Sequence, residues 1–136
     1  MKTKGIRILD KKNNIVSVEL SDILSEIPEL SDLKFDIIVS NPPYVMRSEK
    51  QFMAKNVTDF EPEQALFVED NHPLIFYERI CSISKDLSAP GGSLYVEINE
   101  KFGEEVKALF LHNGFTEVEI RKDINGKDRF VFGKHV

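Results

Sequence analysis

The sequence predicts an α/β layered protein with one antiparallel pair at its end, and three observations carry that prediction. Phe35-Asp36-Ile37-Ile38-Val39 is a dense run rich in β-branched residues that breaks off at Asn41-Pro42-Pro43, as expected of a buried parallel strand entering a loop. Two later segments repeat apolar residues at helical spacing and flank a further apolar strand, which places helices against a sheet. Two alternating runs near the end are joined by Asn125-Gly126, a dipeptide suited to a tight hairpin turn.

Taken in order, Val16-Ser17-Val18-Glu19-Leu20 has the two-residue period of a strand, and Ser21-Asp22 offers capping chemistry for a short turn or helix through Glu26. The Phe35 to Val39 strand follows. Between Val45 and Asn71 the pattern is irregular, with a helix expected around Glu49 to Asn56, and loops of this length often serve function. Pro73 suits a first helical position; Phe76, Ile80, Ile83 and Leu87 then recur until Pro90-Gly91-Gly92 stops the helix. Ser93 to Ile98 reads as a strand. A second helix runs from Glu100 to His112, with Phe102, Val106, Leu109 and Phe110 on one face and Asn113-Gly114 as its cap. Glu117 to Ile124 and Arg129 to Gly133 form the closing hairpin.

A chain of 136 residues with 41% apolar content can bury the core of one domain. No apolar run approaches the roughly eighteen residues that span a bilayer, and Met1-Lys2-Thr3-Lys4-Gly5 is followed by no apolar signal segment. A cytoplasmic protein is expected. Cys81, the single cysteine, lies among Ile80, Ile83 and Leu87 and reads as a small core residue. His72, His112 and His135 are scattered, so no metal site is expected. A net charge of −5 with dispersed Lys and Arg argues against binding that draws on phosphate neutralisation.

Ligands of open α/β sheets bind beyond the carboxyl ends of strands, where Asn41-Pro42-Pro43-Tyr44 falls. Proline after Asn41 holds that asparagine extended, and two successive prolines stiffen the loop while leaving carbonyls with no competing N–H. The Asn41 side-chain oxygen and the Pro42 carbonyl can together accept both hydrogens of a planar NH2 group, turning its lone pair toward an electrophilic methyl. Such a nitrogen is a poor nucleophile, so alignment counts for more than a strong base, and acceptors stabilise the positive charge that develops on it. Tyr44 can stack on the planar group. Asn-Pro is also a common turn dipeptide, and the four residues alone leave turn and site equally open.

The segment Phe35-Asp36-Ile37-Ile38-Val39-Ser40-Asn41-Pro42-Pro43-Tyr44 resembles the strand and loop of amino methyltransferases, among them the DNA adenine-N6 and the release factor glutamine-N5 enzymes. Phe60-Glu61-Pro62, Ala65-Leu66, Pro73-Leu74-Ile75-Phe76-Tyr77, Pro90-Gly91-Gly92, Val96-Glu97-Ile98 and Lys122-Asp123 through Asp128-Arg129 extend the resemblance to the release factor glutamine methyltransferases from Leu33 to Gly133. The resemblance implies a partial Rossmann-like S-adenosylmethionine-dependent fold, a mostly parallel sheet with a C-terminal antiparallel hairpin that lacks the first strands. It implies that Asn41 and Pro42 bind a glutamine amide, that Pro43 and Tyr44 wall its pocket, and that Asp22 and Asn41 reach the cofactor. Asp22 reads equally as a helix cap. Glu61 either positions substrate or braces its loop beside Pro62, and Glu97 reads as an ordinary exposed strand residue.

The glycine-rich loop that lets backbone approach such a cofactor has no counterpart before Asn41, where Gly5 is the only glycine. Residues 1–136 are therefore expected to be the C-terminal part of a catalytic domain, a fragment inactive alone. Loss of the central strands would leave the Phe35 to Val39 edge open and favour self-association there or displacement of the Val16 to Leu20 strand from its family position. Two alternatives accompany the glutamine reading. One is a DNA or RNA adenine-N6 methyltransferase, which must extrude its base into a basic channel; the other is a noncatalytic remnant.

Overall fold

The computed structural model describes residues 4–9, 15–21, 34–42, 45–46, 48–49, 67–68 and 71–136, and the chain divides into two units, Met1–Asp32 and Leu33–Val136. In the first unit, β1 (Lys4–Leu9) pairs antiparallel with β2 (Ile15–Ser21), from Lys4 opposite Ser21 to Leu9 opposite Ile15. The second of these strands matches the sequence expectation. The first was not expected, because Gly5-Ile6-Arg7-Ile8 gives only two alternating apolar positions and acquires strand character by pairing.

The second unit contains β3 (Phe35–Ser40), β4 (Val45–Met46), β5 (Phe67–Val68), α1 (Ile75–Leu87), β6 (Ser88–Glu97), α2 (Gly103–His112), β7 (Phe115–Lys122) and β8 (Asp128–His135). Four strands form one sheet in the order β3-β6-β8-β7. Only β3 and β6 run parallel in it; β8 lies antiparallel to both β6 and β7. The sheet is therefore mixed rather than mostly parallel, since the closing hairpin folds back and inserts β8 beside β6. A separate short parallel pair joins Val45 to Phe67 and Met46 to Val68; two-residue strands leave no periodic signal in sequence.

Both helices pack on one face of the sheet, α1 against β3 and β6, α2 against β7 and β8. Leu94, Val96, Val131 and Phe115 are buried together with Tyr77, Ile80 and Cys81 of α1 and Val106 and Phe110 of α2. The buried stripe of α1 is thus Tyr77, Ile80, Cys81 and Ser84, whereas Phe76, Ile83 and Leu87 are half-buried. Burial pushes the Cys81 thiol up to about 12, which suits a packing residue rather than a nucleophile. On the opposite face, Ile37 and Val39 are exposed beside Tyr95 and Phe130.

Helix α1 begins at Ile75, two residues after Pro73, because Leu74 takes the capping position. It ends at Leu87, before Pro90-Gly91-Gly92, because Ser88 turns extended and is captured opposite Phe35. Those three residues instead form an irregularity in β6: Phe35 faces Ser88, yet Ile37 faces Ser93. A Cβ on Gly92 would lie 2.9 Å from the carbonyl oxygens of both Ala89 and Phe35. Neither backbone atom can rotate away, so Gly92→Ala is expected to lower stability by about 1–3 kcal/mol through overpacking. Urea denaturation checks this, and an unchanged midpoint would contradict the close approach.

The expected second helix is preceded by a 3₁₀ turn, Glu100–Phe102, capped by Asn99, and α2 closes with Gly114 at φ +86°, a left-handed position that glycine tolerates. In β7, the four residues from Thr116 to Glu119 oppose three on β8, Lys134 to Phe132, and Glu117 takes φ 52° within that bulge. Asp123 organises the hairpin end. Its Oδ1 accepts from the N–H groups of Asn125 (2.8 Å) and Lys127 (3.1 Å), and its Oδ2 from Arg129 (3.1 Å). The Lys127 N–H bond is the main reason its carboxyl sits below the ordinary 3.8, with burial opposing and Arg129 and Asn125 assisting. A carboxyl depressed on folding stabilises above its unfolded value and ceases to do so as pH falls through the folded one. Protection of the Lys127 amide, corrected for intrinsic exchange, is therefore expected to fall as pH drops below 3.8 and to lose this dependence in Asp123→Asn.

Candidate active site

Strand β3 delivers Asn41 and Pro42 to the carboxyl end of its parallel pair with β6. Pro42 is buried and Asn41 is exposed, so the proline seats the chain while the amide stays available. Beside them lies a cleft of about 330 Å³ lined by Val39, Ser40, Asn41, Tyr95, Glu97 and Phe130. Tyr95 packs on Phe132 with ring centroids 4.7 Å apart, and the Arg121 guanidinium lies 4.9 Å from the Phe132 centroid. The cleft thus has two aromatic side chains in its lining, Tyr95 braced laterally by Phe132, with the Asn41 amide and the Glu97 carboxylate beside them.

Glu97, read from sequence as an ordinary strand residue, belongs to this cleft. The signal that could have found it is the one that found Asn41: both lie at carboxyl ends of adjacent parallel strands. Tyr95 and Phe130 gave no such signal, because their convergence depends on the pairing of Glu97 with Phe130. Pro43, Tyr44, Asp22 and Glu61, and most of the helix expected from Glu49 to Asn56, lie outside the described residues.

The chain on the carboxyl side of the tetrapeptide is held by hydrogen bonds. Glu49 Oε1 accepts from the Met46 N–H (2.8 Å) and from Asn99 Nδ2 (2.9 Å), and its Oε2 lies 3.0 Å from Lys101 Nζ. Asn99 Oδ1 accepts from the Lys101 N–H at 3.0 Å, and the Asn99 N–H donates to the Tyr77 hydroxyl at 3.1 Å. Burial pushes the Glu49 carboxyl up, but the bonds from Met46, Lys101 and Asn99 outweigh it and hold the group below 4.5. Among the described residues, no group of three or more His, Cys, Asp and Glu could hold a metal ion, and no helix is long and apolar enough to cross a membrane.

The model of the Eco57I restriction-modification methylase family matches residues 2–118, including the whole of β3 and both Asn41 and Glu97. The chain belongs to this methylase family. Among curated relatives, the chain is 50% identical over 97 residues to the release factor glutamine methyltransferase of Bacteroides thetaiotaomicron, covering 71% of this chain and 35% of that protein. It is 42% identical over 130 residues to the enzyme of the same name from Flavobacterium psychrophilum, covering 94% and 46%. The chain therefore spans less than half the length of either relative. It also overlays the crystal structure of a release factor-specific protein-(glutamine-N5) methyltransferase from Alicyclobacillus acidocaldarius at 25% identity and a TM-score of 0.47, over 75% of this chain and 49% of that one. The resemblance to the release factor glutamine methyltransferases read from Leu33 onward is thus shared with its curated relatives.

Proposed function

We propose that this protein acts as a protein-glutamine N5-methyltransferase, moving a methyl group from S-adenosylmethionine to a glutamine side-chain amide of a peptide chain release factor. The observation that carries the reading is Asn41, an exposed amide seated on the buried Pro42 at the edge of a cleft with aromatic walls. The Asn41 Oδ1 and the Pro42 carbonyl accept the two hydrogens of the substrate NH2, and Tyr44 with Pro43 walls its pocket. Tyr95 and Phe130 provide apolar surface for the flat amide. Relatives at 50% and 42% identity bear the name of this activity, and a cytoplasmic location follows from such a substrate.

S-adenosylmethionine supplies the electrophilic methyl when bound. The described residues fit the acceptor side of that transfer and, Asn41 apart, not the cofactor side, for no glycine lines the cleft and only Gly5 precedes Gly91 in the sequence. Asp22 and Asn41 are assigned to cofactor contact, and Glu61 to the substrate loop. The 136-residue polypeptide by itself is accordingly expected to show no micromolar affinity for S-adenosylmethionine in a calorimetric titration; saturable binding there would overturn this division.

Adenine-N6 methylation of nucleic acid is the second reading, favoured by the restriction-modification description of the family. The net charge of −5 opposes it, since backbone phosphate binding draws on cationic side chains. Labelled-methyl transfer by the native protein separates the two: label on a release factor supports the glutamine reading, and label on DNA or RNA replaces it.

A further inference from the structure

We infer that Glu49 and Asn99 form a positioning pair that ties Met46, two residues beyond Tyr44 in sequence, to the end of β6 and so helps hold Asn41 at the cleft. The inference rests on the proposed role of the tetrapeptide Asn41-Pro42-Pro43-Tyr44. On its amino side, Ser40 pairs with Val96 and Pro42 is buried. On its carboxyl side, Met46 pairs with Val68 and donates its N–H to Glu49. Only Pro43, Tyr44 and Val45 separate Pro42 from Met46, and consecutive Cα atoms are about 3.8 Å apart.

Glu49 connects distant parts of the chain. Its Oε1 bridges the Met46 N–H and the side chain of Asn99, fifty residues onward. Asn99 is 5% exposed and its own N–H is committed to Tyr77, which is 1% exposed and belongs to α1. Through these bonds the chain just after the tetrapeptide is tied to the end of β6 and to the helix layer. The Lys101 side chain is about half exposed, so its ion pair contributes little beside the part-buried hydrogen bonds of Glu49. Removing the Glu49 carboxylate takes its acceptor oxygen from the Met46 N–H and from Asn99 Nδ2, so the chain after the tetrapeptide keeps its pairing with Val68 and loses its side-chain link to the end of β6. Displacement of about 1 Å at a reacting centre can cost on the order of 10²-fold in rate.

The test places Glu49→Ala and Glu49→Gln at the chromosomal locus, so that the native protein is assayed for methyl transfer to a release factor. Glu49→Ala is expected to lower kcat by roughly 10²-fold with the cofactor KM unchanged, and Glu49→Gln, which keeps an oxygen for the Met46 N–H, to recover most of the loss. Val106→Ala, in the buried face of α2, supplies a comparably destabilised control that keeps its kcat below its melting temperature. In parallel, amide exchange of Met46 in the purified chain is compared with that of Leu94 and Val131. Selective acceleration at Met46 in Glu49→Ala supports the inference. Uniform acceleration at all three amides, unchanged Met46 exchange, or a wild-type kcat in Glu49→Ala overturns it. A native protein that methylates no release factor defeats the proposed function instead, while the exchange measurement still decides the positioning role.

Discussion

Asn41→Ala is expected to reduce methyl transfer by the native protein by about 10²–10³-fold in kcat, the usual scale for removing one preorganised partner of a developing charge. The nitrogen attacks through a lone pair that resonance would otherwise delocalise, so the acceptor must hold the NH2 in line and stabilise the charge that builds on it. Asn41 is exposed at the end of β3, and surface substitutions away from packing features usually change stability by less than about 0.5 kcal/mol. A large kinetic loss should therefore accompany an almost unchanged melting temperature. Asn41→Asp, which retains an acceptor oxygen, should fall less than Asn41→Ala. Transfer of labelled methyl under saturating cofactor reads both variants. Retention of more than a tenth of the rate in Asn41→Ala would remove Asn41 from the reacting centre, whichever substrate carries the label.

The largest structural effect is expected at Phe110, whose truncation to alanine should cost about 3–5 kcal/mol and lower the melting temperature by roughly 10–20 °C. Phe110 is fully buried in α2, its ring centroid 5.5 Å from that of Phe115, and it covers Gly133 of β8. A Cβ at Gly133 would come within 2.7 Å of Phe110 Cδ2 and 3.2 Å of Phe115 Cβ. Helix and strand are thus matched large against small at this contact. Gly133→Ala should cost about 1–3 kcal/mol by overpacking. Combined with Phe110→Ala it should cost less than the sum, because the added methyl enters the space the ring vacates. Chemical denaturation of the four proteins in this cycle checks the coupling, and strict additivity would refute the contact.

The parts of the fold legible in the sequence are those written in short-range signals. The β-branched run and prolines from Phe35 to Pro43 announced a strand and its end; Asn113-Gly114 announced the close of α2, and Asn125-Gly126 the hairpin turn. The phase of α1 was misread by part of a turn because its buried stripe includes Tyr77 and Ser84, polar-tipped residues that an apolar count passes over. Pro90-Gly91-Gly92 looked like a helix stop, and its glycines are instead set by what β3 brings against them: Gly92 meets the Phe35 carbonyl, fifty-seven positions away in sequence.

The candidate site divides in the same way. By itself the sequence determined the tetrapeptide, its place at a strand end and the residue types that suit an amide acceptor, because proline and asparagine act on their immediate neighbours. Only the tertiary structure decided that Tyr95, Glu97 and Phe130 line the cleft beside Asn41, and that Glu49 reaches Asn99. Strand order and register set those meetings. They arise because β8 inserts beside β6 and β6 lies parallel to β3, pairings whose free energy depends on segments far apart in the chain, which local periodicity does not record.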